Sequence, residues 1–328
     1  MAAATTAIAV LPTYETIGLA APIILVVLRL LQGIAAGGEF TGSVVFLVEL
    51  APERRRALIP GLVLACGILA AALASGIAAL LTHLLSPEAF LDWGWRLLYA
   101  PAPLLGIAGV VLRRRLVAGS GDATERRLPI VVVVCEYWPS LLRVMCLASV
   151  NAVGNYTVDI YGATYLQVVV GLPEATALNI TTASIVALSA SILVFAWVAD
   201  RVGRRPVMIF GALGLVVCSL PLYSLAASGD AFYALVAQIT LAIFLGAVDG
   251  GLAVLMCELF PRKVRYTGVS VGYGLTFGVL GGTAPLVATS LIDVTGNDLS
   301  PAFYMMLAAL VGLVTLFRTP ETKDRPLE

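Results

Sequence analysis

The sequence predicts an all-α membrane protein, a bundle of about nine complete transmembrane helices plus a partial one, arranged as two pseudo-symmetric halves. Three observations carry this. Charged residues make up 12% of the 328 residues and apolar ones 60%, with a mean hydropathy of +0.98, against about 25% charged and 45–50% apolar in soluble domains. A soluble fold of this length has too little interior to hide so much apolar surface, so its solvent is lipid. Apolar runs long enough to cross a hydrocarbon core, about 20 residues each, recur along the whole chain. Lys and Arg fall almost entirely in alternate connections, which is how topology, rather than a soluble surface, distributes charge.

Taken in order, the runs lie at 19–50, 57–84, 91–113, 137–168, 174–199, 206–227, 230–260, 265–292 and 301–318, with Met1–Leu11 a short tenth. Turns rich in Gly, Asp and Ser separate them, among them Gly119-Ser120-Gly121-Asp122 and Thr295-Gly296-Asn297-Asp298. One set of connections holds Arg54, Arg55 and Arg56, Arg113 to Arg115 with Arg126 and Arg127, then Arg201, Arg204 and Arg205. It continues with Arg262, Lys263 and Arg265, and with Arg318, Lys323 and Arg325, so that it holds 17 of the 20 basic residues. The other set has only Arg96 but carries Glu15, Glu88, Asp92, Glu174, Asp230, Asp293 and Asp298. The basic set, and with it the C-terminus, is expected in the cytoplasm.

A repeat organises these helices. Glu49-Leu50-Ala51-Pro52, followed by Arg56, recurs 209 residues later as Glu258-Leu259-Phe260-Pro261, followed by Arg265. The same offset places Leu11-Pro12 on Leu220-Pro221. Parallel duplicated bundles with a site between them near mid-membrane are a transporter architecture. The expected division is 1–116 for the remainder of an N-terminal half (its third to sixth helices), 117–136 for a central cytoplasmic linker, and 137–328 for a six-helix C-terminal half. Met1–Val10 has no basic segment, so an early helix rather than a cleaved signal is expected to direct insertion.

At these residues the chain resembles the major facilitator superfamily. Ala199-Asp200-Arg201-Val202-Gly203-Arg204-Arg205-Pro206 is similar to its signature loop, and Arg29 to Glu39, with Gly33, Gly37 and Gly38, is similar to the fourth-helix motif of the metabolite:proton symporter family. Within that family, 12–18 (Pro12 to Gly18), 90–96 (Phe90 to Arg96), 300–304 (Ser300 to Tyr304) and 321–327 (Glu321 to Leu327) resemble the bacterial proline/betaine transporters. The resemblance implies a signature loop that locks one conformation through a charge cluster with Glu258, the residues being Asp200, Arg201, Gly203, Arg204, Arg205 and, by the repeat, Glu49. It also places the first copy of that loop before Met1, so the family's first two helices are expected to be missing here. The C-terminal coiled coil of some osmosensing members is likewise not expected, nor is osmosensing by such a tail.

Several polar residues stand inside apolar runs. Glu39 lies ten residues from Glu49, so at about 1.5 Å per residue it sits roughly 15 Å inside the membrane. A carboxylate there is costly unless paired, hydrated or protonated, which suits a proton-coupling group; a hydrogen bond to a neighbouring helix is the plainer alternative. Asp249, nine residues from Glu258, shares this depth in the repeated helix, although Gly250-Gly251 beside it could also mark a water-filled notch. Asn151, Asn155 and Asp159 are spaced i, i+4, i+8 along one helix face. Tyr156, Tyr161 and Tyr165 lie on neighbouring faces. Acids beside aromatic rings suit a substrate ammonium through cation–π attraction, while tyrosines near a helix end also form interface belts. Arg29 either binds substrate or snorkels.

Cys66, Cys135, Cys146, Cys218 and Cys257 have no metal-ligand spacing, and the chain has no nucleophile–base set and no phosphate loop. No enzyme activity, cofactor, metal or nucleic-acid partner is expected. The reading is a monomeric secondary transporter in a bacterial inner membrane, a symporter of protons with a small zwitterion such as proline or glycine betaine. A carboxylate:proton symporter for α-ketoglutarate, citrate or shikimate is the alternative within the class. An inactive remnant or a non-transporting receptor is the alternative outside it.

Overall fold

In hydrocarbon a backbone has no water to bond, so each apolar run satisfies its own N–H and C=O groups by coiling. The computed structural model describes residues 1–116, 129–323 and 327, and every regular element among them is helical. The principal helices are α1 (Ala2–Ala9), α2 (Ala20–Leu50), α3 (Leu58–Leu84), α4 (Ala102–Leu116), α5 (Pro129–Glu136) and α6 (Trp138–Asn155). They continue with α7 (Glu174–Val202), α8 (Arg204–Ala226), α9 (Ala231–Glu258), α10 (Arg262–Thr276), α11 (Gly282–Thr295) and α12 (Ser300–Arg318). The expected linker residues 117–128, with their Gly119–Asp122 turn and Arg126 and Arg127, lie outside the described residues, as do Asp324, Arg325, Pro326 and Glu328.

Among the described residues eight helices are long and apolar enough to cross a membrane. A ninth span results if Pro129–Glu136 and Trp138–Val169, bent by 89° at their junction, count as one. Each of the nine apolar runs coincides with one of these, usually to within a few residues. The α6 span leaves the α-helix twice, through π turns at Tyr156–Ile160 and Tyr165–Val169, and a third π turn, Phe277–Gly281, joins α10 to α11.

The chain forms two compact units, Met1–Phe40 with Ala70–Arg126, and Thr41–Leu69 with Arg127–Glu328. In the first, α1 packs on α4. Gln32 donates to Thr5 Oγ1 at 2.6 Å, and Arg96 holds the carbonyl of Leu11 at 3.0 Å while its guanidinium lies 4.5 Å from the centre of the Trp95 ring. Here the two copies of Leu-Pro differ. Pro221 lies inside α8, whereas α1 ends three residues before Pro12. A proline removes one helical hydrogen bond and crowds the preceding turn. The 23-residue α8 has turns enough on its N-terminal side to carry the helix past it, and the 8-residue α1 does not.

In the second unit α9 is the central post. It packs along both α7 and α8, α8 packs on α12, and α6 is flanked by α10 and α12. Over Leu245–Cys257 α9 is buried on every side, while Phe232, Tyr233, Val236 and Ile243 nearer its start are exposed. Gly250 and Gly251 explain how it gets so close to its neighbours. A Cβ on Gly250 would stand 2.6 Å from the backbone N of Ala196 in α7, and one on Gly251 would stand 2.6 Å from Met208 Cγ in α8. The two glycines are packing surfaces, not the water-filled notch considered above.

Candidate functional site

Two constellations of polar residues form in the second unit, one at the signature-loop end of the helices and one deep among them. At the loop end α7 stops because Gly203 takes φ +124°, a conformation open to glycine at little cost. That turn aims the flanking charges in different directions. Asp200 accepts from the backbone N–H groups of Ala57 at 2.8 Å and Leu58 at 3.0 Å, so a side chain of α7 caps the start of α3. Arg204 is fully buried, 3.3 Å from Glu258 Oε1 and 3.7 Å from Asp200. Arg205 donates to the carbonyls of Leu316 and Phe317 at the C-terminal end of α12, where a cation also complements the helix dipole. Arg201 turns away from the acids and lies 3.5 Å over the Trp197 ring.

The repeated Glu-Pro-Arg motifs meet here crosswise. Glu49, of the first copy, pairs with Arg265 of the second at 2.7 Å and with Arg262 at 3.6 Å. Glu258, of the second copy, lies in the field of Arg56 of the first. Arg265 is itself buried and fixed by the carbonyls of Cys257 and Phe260. Glu321, just past α12, completes the cluster by accepting from the N–H groups of Arg204 and Arg205 at 3.0 and 2.9 Å, while Thr322 donates to Glu258.

About 13.5 Å along α9 from Glu258, by the helical rise, lies Asp249, fully buried. Asn151 of α6, also fully buried, donates to its Oδ1, and Asn155, one turn on, donates to its Oδ2 at 3.5 Å. Tyr273 of α10 donates to the Asn151 oxygen at 3.3 Å and stacks on Phe277 with ring centres 4.3 Å apart. Phe277 also meets the Tyr156 ring edge-on at 6.1 Å. Asp159 follows within the first π turn, its Oδ1 buried without a hydrogen-bond partner. The structure thus joins four of the sequence-predicted residues, Asn151, Asn155, Asp249 and, through Phe277, Tyr156, into one polar nucleus lined by aromatic rings.

Glu39 and Arg29 belong to the first unit. Arg29 donates to the Tyr99 hydroxyl at 2.9 Å and to Gln32 at 3.4 Å, and the Glu39 side chain is exposed. Tyr161 and Tyr165 form a separate aromatic group with Tyr223, their ring centres 5.3–6.3 Å apart in sequence. Sequence reasoning missed Tyr273, Glu321 and Thr322. Tyr273 stands between Gly272 and Gly274 on what reads as a packing face, and Glu321 was noticed for its motif alone.

Comparison with known proteins decides the family. The profile of the Major Facilitator Superfamily matches residues 1–190, and that of the Sugar (and other) transporter family matches residues 131–328. This chain belongs to the major facilitator superfamily of transporters. The proline/betaine transporter of Escherichia coli (strain K12) is 29% identical over 343 aligned residues, covering 100% of this transporter and 68% of that protein. Its counterpart in Salmonella typhimurium (strain LT2) is 28% identical with the same coverage. This transporter therefore spans 68% of their length. Among solved structures, the proton:xylose symporter XylE bound to 6-bromo-6-deoxy-D-glucose superposes with a TM-score of 0.76 at 16% identity, over 99% of this transporter and 80% of that chain. FucP in the outward conformation superposes with a TM-score of 0.65 at 16% identity, over 97% and 80%. The two share its fold. These proteins are all transporters, and this one is a multi-pass membrane protein of their type rather than an enzyme.

Proposed function

We propose that this protein is a proton-coupled symporter of a small zwitterion of the proline or glycine betaine type, drawing it inward across a bacterial inner membrane by alternating access. The observation that carries the reading is Asp249, a buried carboxylate held by two asparagine amides beside the rings of Tyr273, Phe277 and Tyr156. A fixed anion next to aromatic faces favours an ammonium group, secondary or quaternary. The relatives named as proline/betaine transporters, aligned over the whole chain, support the same substrate class. Glu39 and Arg29 keep their sequence-based assignment to coupling and substrate binding. The Glu49–Arg265 and Glu258–Arg204 pairs act as a latch that opens during each cycle. The transporter works as a monomer, in two halves of 1–116 and 137–328, with its C-terminus in the cytoplasm.

The test is competition for uptake in proteoliposomes under a proton gradient. Labelled proline and unlabelled betaine compete with each other, and citrate and α-ketoglutarate compete with neither. Inhibition by the dicarboxylate with none by betaine removes the zwitterion reading in favour of a carboxylate carrier.

A further inference from the structure

Two buried oxygens on adjoining turns of the α6 span lack a hydrogen-bond donor, Asn155 Oδ1 and Asp159 Oδ1. They contrast with their neighbours. Both oxygens of Asp249 receive amide N–H groups, and the Asn151 oxygen receives the Tyr273 hydroxyl. A buried polar atom left without a partner costs about 1–3 kcal/mol, so the orphan pair is a place where a donor is wanted.

The surroundings limit what that donor is. The charged group that bears on Asp159 is Asp249, another acid. Among the described residues the packed elements bring no cation to it. Arg143 lies in the second turn of α6, Glu174, Asp200 and Arg201 lie at the two ends of α7, and Asp293 lies near the far end of α11. Arg262, Lys263 and Arg265 begin α10, and the remaining charge of α9 is Glu258 at its end. Tyr156 and Tyr161 flank Asp159 in sequence, and Tyr273 lies in the field of Asp249. Two acids that bear on one another in the membrane interior, with no cation beside them among the described residues, repel when both are ionised, and a proton held between them relieves this. The donors decide where it goes. Hydrogen bonds to the charged form favour that form, and Asp249 has two of them while the Asp159 Oδ1 has none. A proton also needs no cavity. It turns Asp159 into a donor, with the Asn155 oxygen one turn away as an acceptor in want of one.

We propose that Asp159 carries the proton of this pair and stays neutral while Asp249 remains the carboxylate. The assignment rests on the proton-coupled reading given above and divides its two acids by role. Asn155 stands between them, its amide nitrogen on Asp249 and its oxygen free for Asp159. Rotating that one side chain would withdraw a donor from Asp249 and an acceptor from Asp159 together.

Infrared difference spectroscopy of the reconstituted protein tests this, because a protonated carboxyl has its own C=O stretch. At neutral pH the wild type shows such a band. Asp159→Asn loses it, Asp249→Asn keeps it, and Asp159→Glu restores it at a shifted frequency. A band that survives in Asp159→Asn and disappears in Asp249→Asn overturns the proposal, as does a wild type with no band. Loss of the band in both variants, with restoration by Asp159→Glu, still places the proton on Asp159 and makes Asp249 its cause. Proline counterflow, measured alongside, separates this inference from the function it rests on. If the wild type exchanges no proline yet the band follows Asp159, the substrate reading fails and the proton assignment stands.

Discussion

Glu321 lies beyond the last helix in sequence and yet finishes the first turn of another. Its carboxylate receives the N–H groups of Arg204 and Arg205, which open α8, and those of Thr322 and Lys323. A helix start has unsatisfied donors and a partial positive charge, so an anion arriving from a distant segment is a cap like any other. Burial on its own would raise the Glu321 carboxyl, but the four backbone donors outweigh it and hold the group below its usual range. The sign of the linkage follows. A depressed folded value means the contact is at full strength above the ordinary carboxylate range and is lost as pH falls through the folded value. Replacing Glu321 by Ala is expected to cost about 0.5–2 kcal/mol, the usual worth of a cap, read as a lower apparent Tm in detergent. The gap from wild type should shrink as the pH is brought down through the carboxylate range. An equal gap at neutral and acid pH would show that the carboxylate is not the cause. Gly203 is tied to the same contact, since a Cβ there would stand 2.7 Å from Glu321 Oε2.

Among the elements, α9 depends most on what its side chains leave out. Gly246 and Gly250 face α7, with ideal Cβ positions 2.5 Å from Ser191 Cβ and 2.6 Å from Ala196 N. Backbone cannot swing aside as a side chain does, so Gly250→Ala should push the helices apart and cost about 1–3 kcal/mol, the usual penalty of overpacking. Gly274→Ala in α10, which would meet nothing within 4 Å, should be neutral or slightly stabilising because alanine is the better helix former. Size-exclusion profiles of heated fluorescent fusions compare them, and equal recovery of the two variants would rule out the close approach as a source of stability. The helices themselves were legible in the sequence because the bilayer sets their length. Asn151, Asn155, Asp159 and Asp249 were legible one at a time, since polar residues are conspicuous in apolar runs. That Asn151 and Asn155 meet Asp249 was not, because nothing in one helix states which other helix it packs against. The π turns were hidden too, as Tyr156–Ile160 and Phe277–Gly281 have the composition of the α-helix around them. Glu321 was hidden for a related reason, the helix start it caps lying more than a hundred residues away.

For the molecule as a whole the distribution of charge sets the orientation. With 17 of 20 basic residues in one set of connections, a C-terminal green fluorescent protein fusion should fluoresce and a C-terminal alkaline phosphatase fusion should be inactive, since each reporter works on one side of the membrane only. Active phosphatase would invert the topology. Helix ends on that same side carry the crosswise contacts, the ion pair of Glu49 with Arg265 and the field of Arg56 at Glu258. Duplicated sequences ordinarily drift apart one copy at a time. Here a change at Arg265 takes the nearer of two cations from the carboxylate of the other copy, and a change at Arg56 removes a cation from the field of Glu258. The heritable unit is the pair of motifs, and a chimera that takes one half from a foreign relative keeps these contacts only when the donor brings the matching arginine.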